Sequence, residues 1–92
     1  MMIKYENYKK TYKKEIMELM RKDRSELSQI IGNYLKIELA RYNPIDDRME
    51  IPLHMIKDED LRFIRMNLVA GQLISDQVHA KIGEKFLALW IE

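Results

Sequence analysis

The sequence predicts an all-α fold in which residues 1–92 form one small three-helix domain. Apolar residues recur at steps of three and four along much of the chain, which is the period of one helix face. Only three glycines and two prolines occur, and 47% of the residues are hydrophobic and 34% charged, a composition typical of folded helical proteins. A chain of this length normally forms one domain.

The first helix is predicted over roughly residues 4–22. A second helix is predicted to begin near Ser25, because Asp23 or Ser25 can cap an N-terminus and Glu26 follows Asp23 at the spacing of a capping box. One continuous helix through this point is the alternative. The apolar face of the first helix consists of Tyr5, Tyr8, Tyr12, Ile16, Leu19 and Met20.

The second helix is predicted over roughly residues 26–42. It has to end by Asn43, because a proline at position 44 disfavours helical geometry in the residue before it. Gly32 lies inside this helix at a cost of about 1 kcal/mol relative to alanine, and it could allow a close helix crossing.

Residues 44–56 are predicted to form an extended connector. Pro52 cannot donate to a sheet ladder, so an edge strand is the most that is expected there, and an arm laid across the helices is the favoured interpretation. The evidence for extended backbone is the two-residue alternation of Met49, Ile51, Leu53 and Met55 with more polar residues.

The third helix is predicted over roughly residues 58–91, with a possible break near Gly71 or Gly83. The acidic residues 58–60 suit the first turn of a helix, where the helix dipole favours negative charge. The pattern is apolar on two faces, and both of those faces need cover.

Catalytic, metal and cofactor sites are not predicted. The absence of cysteine excludes disulfides and thiolate nucleophiles. His54 and His79 lack the spacing of a zinc motif, and a metal site would need carboxylates such as those of Asp46 and Asp47. The glycines are isolated, so no phosphate-binding loop exists. We therefore expect no enzymatic activity, no cofactor and no small-molecule substrate.

The leading hypothesis for function is a non-catalytic protein–protein interaction module, either a small accessory subunit of a larger assembly or an obligate oligomer. Two other helices give too little cover for a third helix with two apolar faces, so a protein partner is predicted. Aromatic and aliphatic anchors of this kind dominate interface energetics. The predicted interface consists of Phe63, Met66, Ala70, Leu73, Ile74, Phe86, Leu87, Trp90 and Ile91.

The alternative is an accessory factor of the replication or transcription type that contacts the phosphate backbone of nucleic acid through a basic N-terminal helix. Residues 1–24 hold eight Lys or Arg against four Asp or Glu, although the net charge of the whole chain is only +1. An ordinary solvated helix face explains the same pattern. The predicted nucleic-acid contacts are Lys10, Lys13, Lys14, Arg21 and Arg24.

The sequence predicts a cytoplasmic protein without membrane association. The N-terminal residues lack the apolar stretch of a signal peptide. The longest uncharged run, residues 66–75, has about half the length that a bilayer span requires.

Overall fold

Three helices and a five-stranded antiparallel sheet make up the structure, so the fold is mixed α/β and the prediction of an all-α helical bundle is wrong. The computed structural model describes residues 2–23, 25–68, 72–75 and 77–92, and their side chains except at residues 2–11, 72 and 73. The elements in chain order are α1 (Met2–Arg21), α2 (Glu26–Leu35), β1 (Arg41–Asn43), β2 (Arg48–Pro52), a 3-10 turn (Leu53–Met55), α3 (Asp58–Asn67), β3 (Gln72–Ser75), β4 (Val78–Ile82) and β5 (Phe86–Ile91).

The sheet has the strand order β1-β2-β5-β4-β3, and each neighbouring pair is antiparallel. Consecutive strands form the pairs β1–β2, β3–β4 and β4–β5, while α3 lies in the connection from β2 to the far edge at β3. The last strand, β5, is therefore the central one. Leu89 of β5 pairs with Met49 of β2 on one side and with Ala80 of β4 on the other.

The predicted helix boundary at residues 23–25 is confirmed. Ser25 is the N-cap of α2, and its side chain accepts a hydrogen bond from the backbone N–H of Ser28. The Asp23 carboxylate accepts hydrogen bonds from the backbone N–H and the hydroxyl of Ser25, at 3.0 and 2.9 Å. These local contacts separate α1 from α2.

The second helix ends at Leu35, so the prediction of a helix to residue 42 is wrong. The chain then turns and enters β1. A hairpin turn follows Asn43 and leads into β2. The side-chain oxygen of Asn43 accepts hydrogen bonds from the backbone N–H groups of Ile45 and Asp46, at 3.0 and 3.3 Å. Pro44 therefore belongs to a turn between two strands, where asparagine and proline are favoured.

The predicted connector at residues 44–56 contains an interior strand, and the expectation of an edge strand or a free arm is wrong. β2 lies between β1 and β5. Pro52 is tolerated because it is the last residue of β2, opposite Phe86, where the ladder ends. The predicted two-residue alternation is confirmed only from Arg48 to Ile51, where Met49 and Ile51 are buried and Arg48 and Glu50 are half-buried. It is wrong beyond Ile51, because Pro52 is also buried and Leu53 and Met55 belong to the 3-10 turn.

The predicted third helix is wrong beyond Asn67. α3 begins with the predicted acidic turn, but among the described residues that follow, Gln72–Ser75, Val78–Ile82 and Phe86–Ile91 form β3, β4 and β5. Within β4, Val78 and Ala80 are buried while Lys81 is exposed, which is the alternation of a strand with one covered face. The same apolar residues also fit helical spacing, and the pairing of distant strands decides between the two.

The two glycines that were predicted to break this helix have different positions. Gly83 follows β4 in the turn to β5, and its backbone N–H donates to the carbonyl of Phe86 at 2.8 Å. Gly71 lies outside the described residues.

The helices form a layer against one face of the sheet. α1 contacts β1, β4 and β5, α2 packs on α1, and α3 packs on α2. Among the residues that the structure describes, no helix has the length and apolar character needed to cross a membrane. The most fully buried large side chains are Ile16, Ile31, Leu35, Met49, Ile51, Ile64, Leu87 and Leu89.

Tyr12 links α1 to both the β1–β2 turn and the end of β5. Its hydroxyl donates to the backbone carbonyl of Asp47 at 3.1 Å and accepts from the backbone N–H of Ile91 at 3.0 Å. The Tyr12 ring lies 5.4 Å from the Tyr42 ring, whose hydroxyl donates to the Asp47 carboxylate at 2.7 Å. Asp47 has a φ of 54°, an uncommon conformation for a non-glycine residue, and the two tyrosines hold it there.

Tyr34 attaches the start of α3 to α2. Its hydroxyl donates to the Asp60 carboxylate and accepts from the backbone N–H of Lys57, at 3.1 Å for the second bond. Desolvation by burial, followed by the hydrogen bond to Asp60, raises the pKa of Tyr34 above its ordinary value of 10.0. The protonated hydroxyl is therefore the form that the fold favours.

The substitution Tyr12→Phe is expected to lower the free energy of unfolding by about 1–3 kcal/mol, because the Asp47 carbonyl and the Ile91 N–H lose their partner. Tyr42→Phe is the matched control. It removes the same atom but breaks a hydrogen bond to an exposed carboxylate, so a loss of about 0.5–1.5 kcal/mol is expected. Urea unfolding followed by Trp90 fluorescence measures both. Equal losses would contradict a special linking role for Tyr12.

The stability contributed by Tyr34 is expected to decrease at alkaline pH. Because the pKa is raised in the folded state, this contribution is complete below the unfolded pKa of about 10 and is lost as the pH rises through the folded pKa. The difference in unfolding free energy between the wild type and Tyr34→Phe should stay constant from about pH 7 to about pH 9 and then shrink. A difference that widens above that range would refute this assignment.

Candidate functional site

The sheet has one face against the helices and one face that is accessible. Met49, Leu87 and Leu89 point toward the helices and are buried. We call the opposite surface the open face, because its described side chains are half-buried or exposed. It consists of Arg41, Arg48, Glu50, His79, Lys81, Phe86, Ala88 and Trp90.

The antiparallel register arranges the open face in rows that cross the sheet. In one row Trp90 of β5 pairs with His79 of β4 and is followed on the β2 side by Arg48. In the next row Ala88 lies between Glu50 and Lys81. Because side chains alternate along a strand, the same register that buries the core residues directs these groups outward.

Trp90 is held by two neighbouring side chains. The guanidinium carbon of Arg48 lies 4.1 Å from the centroid of the Trp90 ring, within the range of a cation–π interaction. The rings of His79 and Trp90 are 5.7 Å apart with an interplanar angle of 15°. His79 Nε2 lies 3.2 Å from a carboxylate oxygen of Glu92. The indole is therefore oriented by the protein itself.

A second pair of aromatic ring and guanidinium lies at the other end of β5. The guanidinium carbon of Arg41 lies 4.8 Å from the centroid of the Phe86 ring. Arg41 also reaches Glu50, at 3.5 Å between Nε and Oε1, and Asn43 donates to the same carboxylate at 3.2 Å. Glu50 is thus engaged by two donors, and its side chain is only 16% exposed.

The open face combines flat π surfaces with positive charge. Arg41, Arg48 and Lys81 lie on its strands together with the Glu50 carboxylate, and the Glu92 carboxylate reaches His79 beside the end of β5. Aromatic rings and guanidinium planes stack on planar ligands, and the cationic edges attract anions. Such a surface can bind a ligand that has both planar groups and negative charge.

Metal chemistry has no visible basis in the part of the chain that the structure describes. No three His, Asp or Glu side chains there could together hold a metal ion. His54 is exposed within the 3-10 turn, while His79 is engaged with Trp90 and Glu92.

The residues of the predicted protein interface fall in different parts of the fold. Phe86 and Trp90 belong to the open face. Leu87 and Ile74 are 0% and 8% exposed and belong to the core, and Ile91 packs against that core. Phe63 is half-buried on α3, and Met66 on the same helix is 79% exposed. Ala70 and the side chain of Leu73 are not among the parts of the chain that the structure describes.

The residues of the predicted basic stripe lie on the helical side of the sheet where they are described. Lys14 and Arg21 are exposed on α1. Lys13 is half-buried, and its ammonium donates to the backbone carbonyl of Ile37 at 3.4 Å. The structure does not describe the side chains of Lys10 and Arg24.

The cationic half of the open face was not predicted from the sequence. Arg41 and Arg48 reach Phe86 and Trp90 only through the pairing of β1 and β2 with β5. The available signal was the alternation in residues 78–82 and 48–52, which places polar side chains together on one face of a sheet.

Comparisons of the chain with protein-family models, with curated proteins and with solved structures find no match.

Proposed function

We propose that the chain is a non-catalytic module that binds a short single strand of nucleic acid on the open face. The observation that carries this proposal is Trp90 on an accessible sheet face, flanked by Arg48 at 4.1 Å and by the nearly parallel ring of His79. A cytoplasmic location is part of this proposal, because single-stranded nucleic acid occurs there.

Stacking supplies the first part of the interaction. Unpaired bases stack on aromatic rings or guanidinium planes exposed on sheets, and each such contact is worth about 1–3 kcal/mol. Trp90 and Phe86 lie on the same strand. Ala88 lies between them, and its small side chain leaves a depression in the middle of the open face. Because Arg48 and Arg41 already lie over these rings, a base at either end of β5 stacks on the guanidinium plane or displaces it from the ring, while the backbone passes over Ala88.

Charge supplies the second part. Arg41, Arg48 and Lys81 can contact phosphates, and about three phosphate contacts are expected to give a modest dependence of affinity on salt. A guanidinium that lies over a ring keeps its N–H groups along its edge, so Arg48 can donate to a phosphate while it orients Trp90.

The size of the open face favours a short strand over a folded protein. The open face spans four strands about 4.8 Å apart and extends about 14 Å along each strand. It therefore measures roughly 15 Å by 15 Å. This footprint is small beside a standard protein–protein interface, which buries about 800 Å² of accessible surface on each partner. A few nucleotides match the face in both dimensions.

This proposal differs from contact through the N-terminal basic stripe. Lys14 and Arg21 project from the helical layer, on the other side of the sheet from Trp90. A short strand on the open face therefore does not reach them, and they provide a control for general electrostatic attraction.

The test is the binding of fluorescein-labelled single-stranded eight-nucleotide dT and rU, followed by anisotropy in about 20 mM salt and again in about 200 mM salt. The wild type should bind with an affinity that decreases with salt, and Trp90 fluorescence should be quenched. Trp90→Leu should weaken binding by about 5- to 100-fold, and Arg48→Met should weaken binding and lower the salt slope by about 0.7. A matched duplex should bind more weakly, since its bases are already stacked.

Lys14→Met is the matched control, since it removes one exposed charge from the helical layer and should change affinity less than twofold. The proposal fails if the single strands do not bind at low salt. It fails also if Trp90→Leu binds as the wild type does, or if Lys14→Met and Arg48→Met have equal effects.

A protein-interaction module is the second candidate, and one observation favours it. Met66 on α3 is 79% exposed, and half-buried Phe63 precedes it by three residues on the same helix. Exposed methionines suit adaptable protein contacts. This candidate covers both a homo-oligomer and a heterologous assembly.

The second candidate predicts a concentration-dependent oligomer that is centred on α3. Light scattering over a dilution series should give a mass above that of the monomer, and Met66→Glu should restore the monomer without loss of folding. Met55→Glu is the control, because Met55 is exposed as well but lies on the 3-10 turn. A wild type that stays monomeric at every concentration would eliminate self-association as its function.

A further inference from the structure

A groove of about 370 Å³ runs between α1 and α2, within the helical layer. Its volume lies in the range of pockets that bind small molecules. Met17 and Met20 supply apolar surface from α1, while Gly32 lies on the α2 side. The polar groups around them include Arg21, Asn33 and Lys36.

Gly32 has a cost that the described packing does not offset. A glycine inside a helix is less favourable than alanine, and Gly32 lies in the middle of α2. A Cβ atom at this position would meet nothing within 4 Å, so the expectation that Gly32 allows a close helix crossing is wrong. The missing side chain therefore leaves open space on the α2 side of the groove, which a ligand can fill.

The electrostatics of the groove favour an anion. Among the described residues, neither Arg21 nor Lys36 has an ion-pair partner, and both are exposed at the groove. The one carboxylate in the lining, Asp23, accepts hydrogen bonds from Ser25 and from the buried Ser28 hydroxyl, at 2.8 Å for Ser28. The Asp23 carboxylate is therefore engaged by the two serines, while Arg21 and Lys36 remain available to bind an anion.

We propose that this groove binds a small amphipathic anion. An apolar or aromatic body lies over Met17, Met20 and the open space at Gly32, and a carboxylate, phosphate or sulfonate group pairs with the cations that line the groove, Arg21 and Lys36. The side-chain amide of Asn33, which is exposed on α2, can donate to that acidic group. Sequence patterns alone predicted no small-molecule ligand, and this site is independent of the open face.

The test uses 8-anilinonaphthalene-1-sulfonate, which combines an aromatic body with a negative charge, and the uncharged N-phenyl-1-naphthylamine. The wild type should bind the sulfonate saturably with one site, seen as an increase in its fluorescence. Gly32→Leu fills the space and should weaken binding of both probes at least tenfold. The double variant Arg21→Met with Lys36→Met should weaken only the sulfonate, by about tenfold.

Three controls separate the groove from other causes. Lys22→Met removes an exposed charge next to Arg21 that does not line the groove, and should leave sulfonate binding unchanged. Gly32→Ala should raise the melting temperature and retain most of the binding, so that loss of folding in Gly32→Leu can be recognised. Trp90→Leu should bind both probes as the wild type does, which distinguishes this site from the open face.

The proposal is overturned if a folded Gly32→Leu variant binds the sulfonate as well as the wild type. It is overturned equally if both probes respond alike to removal of the two cations, because charge recognition would then be absent. Loss of sulfonate binding in Trp90→Leu would assign the probe to the open face and would remove the groove as its site.

Discussion

The hydroxyl of Tyr12 is the contact on which the arrangement of layers depends. It is one atom with two backbone partners, the Asp47 carbonyl in the β1–β2 turn and the Ile91 N–H at the end of β5. These partners are 35 and 79 residues away along the chain. Through them α1 is tied to the β1–β2 turn and to the end of β5, and the buried residues that follow on α1, Ile16 and Met20, lie in the core. A hydrophobic contact alone would allow the helix to slide, whereas two directional bonds do not.

The parts of the fold that follow from local chemistry could be predicted from the sequence. The cap at Ser25, the acidic first turn of α3 and the alternation around Met49 and Ile51 each depend on neighbouring residues, and all three are present. The sheet could not be predicted in this way. β5 is apolar on both faces, so its side chains match a helix and a buried strand equally well, and only pairing with β2 and β4 distinguishes them.

The candidate site depends on the same long-range pairing. Trp90 and Phe86 were selected from the sequence as interface anchors on a helix that does not exist, and both lie on the accessible side of a strand instead. Their cationic partners come from β1 and β2, about forty residues earlier, and no local pattern links them. Leu87, chosen on the same grounds, belongs to the core, because alternation along a strand separates neighbours that a helix would group together.

The short turn between β4 and β5 has a consequence for the evolution of this surface. Gly83 donates to the carbonyl of Phe86 and so sets which residue of β5 faces which residue of β4. A slip of one position would turn every side chain of β5 over, carrying Trp90 inward and Leu89 outward. The hydrophobic core thus penalises any such slip. The outward side chains can therefore change by substitution while the core keeps the backbone of β5 in its register.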